Sequence, residues 1–64
     1  MSHPTNKQIK AGNDIASLLY DASCAKALGH AFPPHPKYQL LISSYLIGEI
    51  DSVTAIYMAM HGET

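Results

Sequence analysis

The chain has 64 residues, 47% hydrophobic and only 14% charged, with four lysines, no arginine and five acidic residues. That length admits one small domain, and the apolar fraction with a net charge of −1 excludes a wholly disordered chain. With no arginine, and with lysines scattered at 7, 10, 26 and 37, there is no basic footprint for phosphates, so nucleic acid is not an expected partner.

Residues 1–5 read as a flexible N-terminus. The first helix begins at Thr5, where Thr5-x-x-Gln8 fits a capping box in which each side chain meets the other residue's backbone N–H. From there Ala11, Ile15, Leu18, Leu19 and Ala22 recur at helical spacing, with Lys10, Asn13, Asp14, Ser17 and Asp21 on the opposite side. Gly12 lies inside this helix and weakens it by about 1 kcal/mol relative to alanine, so its first turns are expected to fray. Gly29 is a natural stop, and Pro33-Pro34-His35-Pro36 forbids continuation through the 29–36 loop.

A second helix is expected to start near Pro36, because the first turn is where a missing N–H costs nothing. Tyr38, Leu41, Ile42, Tyr45 and Leu46 then follow at i, i+3, i+4, i+7 and i+8, and Gly48 ends the run. The third, short helix is capped by Asp51 or Ser52, with Ile50 placed to staple its start. Its apolar stripe reads as Val53, Ile56, Tyr57 and Met60, with His61 and Gly62 closing it. No strand-like alternation competes. The expectation is an all-α, single three-helix domain over 1–64: a long helix, a proline loop, a second helix and a short third one.

A 60-residue domain buries only about 60% of the surface its unfolded chain exposes, so small scaffolds usually add disulfides, a metal or a partner subunit. The single cysteine, Cys24, cannot form an internal disulfide and points to a reducing, cytoplasmic setting. The polar start does not read as a signal peptide. The most apolar run, from Leu40 to Ile50, is broken by Ser43, Ser44, Gly48 and Glu49 and falls short of the roughly 20 residues that span a bilayer, so no membrane contact is expected.

Chemistry-bearing clusters are sparse. Cys24, His30 and His35 supply three metal ligands only if the loop folds back on the first helix, and structural zinc needs four. Cys24 has acidic neighbours and no histidine at a fixed helical spacing, which leaves its thiol without an activating base. No phosphate-cradling loop or Ser/His/Asp signature appears. The chain therefore reads as no enzyme and as needing no cofactor or metal. The off-stripe apolar residues are more informative. Leu40 and Ile47 are seven apart on the second helix and point away from its Tyr38/Ile42 face, and Met58 is off the stripe of the third. Such residues are either central in the bundle or covered by a partner. On the first helix Ser17 and Asp21 present a hydroxyl and a carboxylate one turn apart.

The stretch from Tyr45 to Ile56, with its Gly48-Glu49-Ile50 junction and capped following helix, resembles the C-terminal half of small antitoxins that inhibit Fic-type adenylyltransferase toxins. The resemblance covers about the last third of the chain. It implies a three-helical protein that wraps around its toxin, with an inhibitory helix carrying Ser-x-x-x-Glu followed by Gly or Asn. The glutamate pairs with a toxin arginine and blocks placement of the ATP γ-phosphate. The nearest match here is Ser17 to Ala22, with Asp21 in the place of the glutamate and Ala22 in that of the following residue. The expected function is a non-catalytic protein-binding inhibitor that masks a larger, nucleotide-binding enzyme through Ser17, Asp21, Leu40 and Ile47. The alternatives are a phage- or plasmid-type accessory protein that inhibits or redirects a host factor, and a self-associating structural module, a homodimer in which Leu40 and Ile47 pack against a second copy around a two-fold axis.

Overall fold

The computed structural model describes residues 3–63; residues 1 and 2, part of the expected flexible N-terminus, and residue 64 lie outside the described residues. Three helices form, α1 (Asn6–Ala27), α2 (Gln39–Leu46) and α3 (Ser52–His61), and every regular element among the described residues is helical. The molecule is elongated, 42 × 19 × 16 Å, against a length of about 33 Å for the 22-residue α1. No helix among the described residues is long and apolar enough to cross a membrane.

The local signals set the helix ends. Thr5 Oγ1 accepts from the Gln8 N–H at 3.1 Å and the Thr5 N–H donates to Gln8 Oε1 at 2.9 Å, completing the capping box. At the other end Gly29 turns left-handed (φ 73°); its N–H donates to the Lys26 carbonyl at 3.1 Å and the His30 N–H to the Ala25 carbonyl at 2.8 Å. Gly48 (φ 85°) closes α2 in the same way, with the Gly48 N–H on the Tyr45 carbonyl and the Glu49 N–H on the Ser44 carbonyl. Both are Schellman closures, which need a residue without a Cβ at the left-handed position.

Two expectations need correction. Helix α2 begins at Gln39, three residues after Pro36. The intervening residues form a tighter turn in which the Tyr38 N–H donates to the His35 carbonyl at 3.0 Å, while Gln39 Oε1 accepts from the His35 N–H at 3.1 Å. The fixed φ of proline starts a turn here, but Tyr38 stays outside helical geometry (φ −119°, ψ 15°) and α-type bonding begins only with Ile42 N–H to Tyr38 C=O. The buried face of α3 is also rotated from its expected stripe. Ala55 and Ala59 are buried and Ile56 and Met60 half-buried, whereas Val53 and Tyr57 are exposed. Close packing against α1 selects the small side chains. A Cβ added to Gly12 would lie 3.0 Å from Met60 Sδ and 3.6 Å from Ile56 Cγ2, so the glycine leaves room for the Met60 side chain to lie over α1. Gly12 is thus a packing residue, and it is buried within a continuous α1.

Contacts between helices fix their directions. Gln8 Nε2 donates to the Glu63 carbonyl at 3.3 Å while Gly12 faces Ile56 and Met60, so α3 runs antiparallel to α1. Lys37 and Tyr38 lie beside Lys10, Ala11 and Asp14, whereas Ser23 Oγ donates to Tyr45 Oη at 3.3 Å and Lys26 Nζ to the Leu46 carbonyl at 2.6 Å, so α2 runs parallel to α1. The Lys26 ammonium thereby satisfies a carbonyl at the negative end of α2. Parallel neighbours require the chain to return along α1 between them. From the level of Lys26 to that of Ala11 is about 22 Å at 1.5 Å per residue. Residues 30–35 cover up to about 19 Å at 3.1 Å per residue, and the turns at 28–29 and 36–38 supply the remainder. The proline segment is a return strap, and Phe32 packs it onto the core. That core is Ile15, Leu19 and Ala22 from α1, Tyr38 and Ile42 from the α2 end of the strap and α2 itself, and Ala55 and Ala59 from α3.

Candidate interaction surface

Because Tyr38, Ile42 and Tyr45 turn inward, the opposite side of α2 carries Leu40, Ser43 and Ile47. Leu40 is 83% exposed and Ile47 69%, with Ser43 exposed between them. Seven residues of helix separate the two apolar side chains by about 10 Å along one line. The bundle does not place α2 at its centre, so these residues have no internal cover. Met58 is about half exposed and lines a shallow depression of about 230 Å³ with Lys37, Tyr38 and Leu41, on the α2 side of α3.

Ser17 and Asp21 are both exposed on the face of α1 that points away from the core. Ser17 also borders a depression of about 250 Å³ with Asp14, Leu18 and His35. A serine, a histidine and an aspartate thus share one hollow, but no hydrogen bond among the described residues joins Ser17 to His35 or His35 to Asp14. Activation of a hydroxyl requires that chain of bonds. His35 instead stacks on Tyr38 with ring centroids 5.4 Å apart, and its Nδ1 is buried without a partner, as is the Tyr38 hydroxyl. The structure therefore brings Ser17 to Asp21 and Leu40 to Ile47, but it sets the two pairs on outward faces of different helices. One flat partner cannot cover both; a partner that wraps can.

The return strap does fold the histidines back along α1, yet it does not gather the possible ligands. His35 settles beside Asp14 and Ser17, while Cys24 is exposed about 10 Å further along the helix. Among the described residues no three His, Cys, Asp or Glu side chains converge.

The lysines behave differently from their spacing in the sequence. Lys7, Lys10 and Lys37 line one depression of about 280 Å³ together with Asp14 and Glu63. Lys10 pairs with Asp14 at 3.0 Å and Lys37 with Glu63, so most of this positive charge is already answered. The Glu63 carboxylate holds the Lys37 ammonium above its ordinary pKa, chiefly by their hydrogen bond, and Lys37 holds Glu63 below its own. Asp51 is likewise lowered, first by the Thr54 backbone N–H that it caps at 2.8 Å. These shifts belong to caps and ties, not to a reactive centre.

Tyr20 and Tyr57 are 72% and 61% exposed, Tyr57 against its expected place on the buried stripe of α3, and the Tyr57 ring lies against the His61 ring at 4.0 Å between centroids. Neither α2 nor α3 contains a single Lys, Arg, Asp or Glu. No family model, no curated protein and no solved structure matches the chain.

Proposed function

We propose that this chain is a non-catalytic protein-binding module, an antitoxin-like inhibitor that masks a larger nucleotide-binding enzyme in the cytoplasm. The observation that carries this reading is the uncovered Leu40/Ile47 row on a helix without charge. Burying a leucine or isoleucine fully contributes about 1.5–3 kcal/mol, so this pair supplies the apolar part of an anchor, and the centres of protein interfaces are depleted of charge in the same way. The likeness of Tyr45–Ile56 to the antitoxins of Fic-type toxins supplies the partner class. In that reading Asp21, oriented beside Ser17, meets an arginine of the partner's nucleotide site. Asp is one methylene shorter than Glu, so α1 must sit correspondingly closer to that arginine. The placement of the two pairs on different faces supports a wrapped mode of binding. The partner is a protein; neither nucleic acid, membrane nor metal takes part.

The test is capture from the native host with a tagged chain, in parallel for the wild type and for Leu40→Lys/Ile47→Lys. A stoichiometric nucleotide-binding enzyme retained by the wild type and lost by the double variant supports the reading. A partner held equally by both, or one that binds no nucleotide, overturns it.

A further inference from the structure

We propose that His3, Met60 and His61 form a copper(I) site where the start of α1 meets the end of α3. All three line one depression of about 270 Å³, whose other walls are Pro4 and Gln8, and no lysine or acid among the described residues borders it. Both histidines are exposed, so their rings reach solvent, and Met60 is half-buried. The Met60 thioether lies over Gly12, one turn along α1 from Gln8 and on the same face. Gln8 fixes the meeting of the two segments. Its Oε1 accepts from the Thr5 N–H at 2.9 Å, two residues after His3, and its Nε2 donates to the Glu63 carbonyl at 3.3 Å, two residues after His61. One amide thereby holds the backbone on both sides of the depression. Pro4 keeps His3 out of helical backbone, and the His61 ring rests against Tyr57, which limits its rotation.

The donor types select the metal. Calcium and magnesium require oxygen ligands. Zinc takes imidazole, thiolate and carboxylate, and its structural sites need four such ligands; this set has two imidazoles and neither of the anionic donors. A thioether is a soft ligand that favours copper(I), and imidazole binds copper as well. No three His, Cys, Asp or Glu side chains converge among the described residues, so it is the methionine sulfur that completes the set and narrows the choice of ion. The three donors are neutral when they bind, which leaves the single charge of copper(I) uncompensated by its ligands. That charge sits at the C-terminal end of α3, where the helix dipole favours a cation. Ligation joins the segment before α1 to the end of α3, so binding stabilises the folded chain. The site shares no residue with Ser17, Asp21, Leu40 or Ile47, and it and the enzyme-binding surface fail independently.

The experiment is an anaerobic titration of the full Cys24→Ser chain with copper(I), followed by NMR; the serine removes an exposed thiol that is itself a soft ligand. At roughly 100 µM chain, a site of micromolar affinity fills at about one equivalent. The ring signals of His3 and His61 and the Met60 methyl should shift together and saturate there, while those of His30 and His35 stay in place. Loss of a partner that merely orients a metal ligand costs about 10–100-fold in affinity, so His61→Ala and Met60→Leu should each raise the dissociation constant by about tenfold or more. His3→Ala lies ahead of every helix and should do the same with its helical circular dichroism unchanged. Copper(I) should also raise the melting temperature of the Cys24→Ser chain, and not that of His61→Ala in the same background. An unmoved Met60 methyl, shifts shared equally by all four histidines, an affinity untouched by His61→Ala, or zinc bound as tightly as copper(I) would overturn the site.

Discussion

Replacing Gly12 by alanine sets two effects of similar size against each other. In a helix interior alanine is more favourable than glycine by about 0.8–1 kcal/mol. The new Cβ, however, would lie 3.0 Å from Met60 Sδ and 3.1 Å from Met60 Cγ, closer than ordinary contact. Met60 is half-buried and flexible, so it yields by leaving its rotamer well at about 0.5–1.5 kcal/mol, and no backbone shift is required. The net change in the wild type is therefore within about 0.5 kcal/mol of zero. In a Met60→Ala background the crowding disappears, since the next neighbour, Ile56 Cγ2, is at an ordinary 3.6 Å. There the full gain of about 1 kcal/mol should emerge, or about 4–8 °C in melting temperature. Urea unfolding of the four chains at one fixed protein concentration measures the coupling directly, expected near 1 kcal/mol. A gain of about 1 kcal/mol in both backgrounds would show that the Met60 side chain does not lie over Gly12 as described.

Ile15→Ala should cost about 2–5 kcal/mol by chemical denaturation, because Ile15 is wholly buried and a chain of this size has little stability to lose; a loss below 1 kcal/mol would contradict the core assignment. Tyr38→Phe removes a buried hydroxyl that has no hydrogen-bond partner, so it should match or exceed the wild type in thermal stability, and a clear loss would mean that the hydroxyl is satisfied. Asp51 and Glu63 are both lowered by what they bind, so their contributions are present above the ordinary values of 3.8 and 4.5 and are lost as pH falls through the lower folded-state values. Asp51→Asn, which keeps a capping oxygen, and Glu63→Gln should each flatten the acid limb of a melting-temperature profile below about pH 4.5; an unchanged limb in both would refute the two contacts.

What was legible in the sequence was local. Thr5 with Gln8, Gly29, Gly48 and Asp51 each act through bonds within a few residues of themselves, so their roles follow from residue type and spacing alone. The outward placement of Leu40 and Ile47 was also legible, because the opposite face of α2 is filled by a continuous apolar row. The face of α3 was not. Val53 and Tyr57 are larger than Ala55 and Ala59, and periodicity weighted by size favours them, but the close approach at Gly12 depends on a helix distant in sequence. The parallel course of α1 and α2 and the meeting of Lys7, Lys10 and Lys37 are likewise products of the return strap. Its prolines announce a break in helix, not the direction the chain then takes.

The central claim is that this chain acts by covering another enzyme's nucleotide site, and inhibition measures it most directly. Nucleotide transfer by the captured partner should fall to the background level as one equivalent of the wild-type chain is added. Asp21→Ala should move that titration to roughly tenfold higher concentration, as the loss of a charge-assisted contact worth about 1.4 kcal/mol requires. Leu40→Lys/Ile47→Lys should abolish inhibition. Full partner activity in the presence of excess wild-type chain would contradict the account.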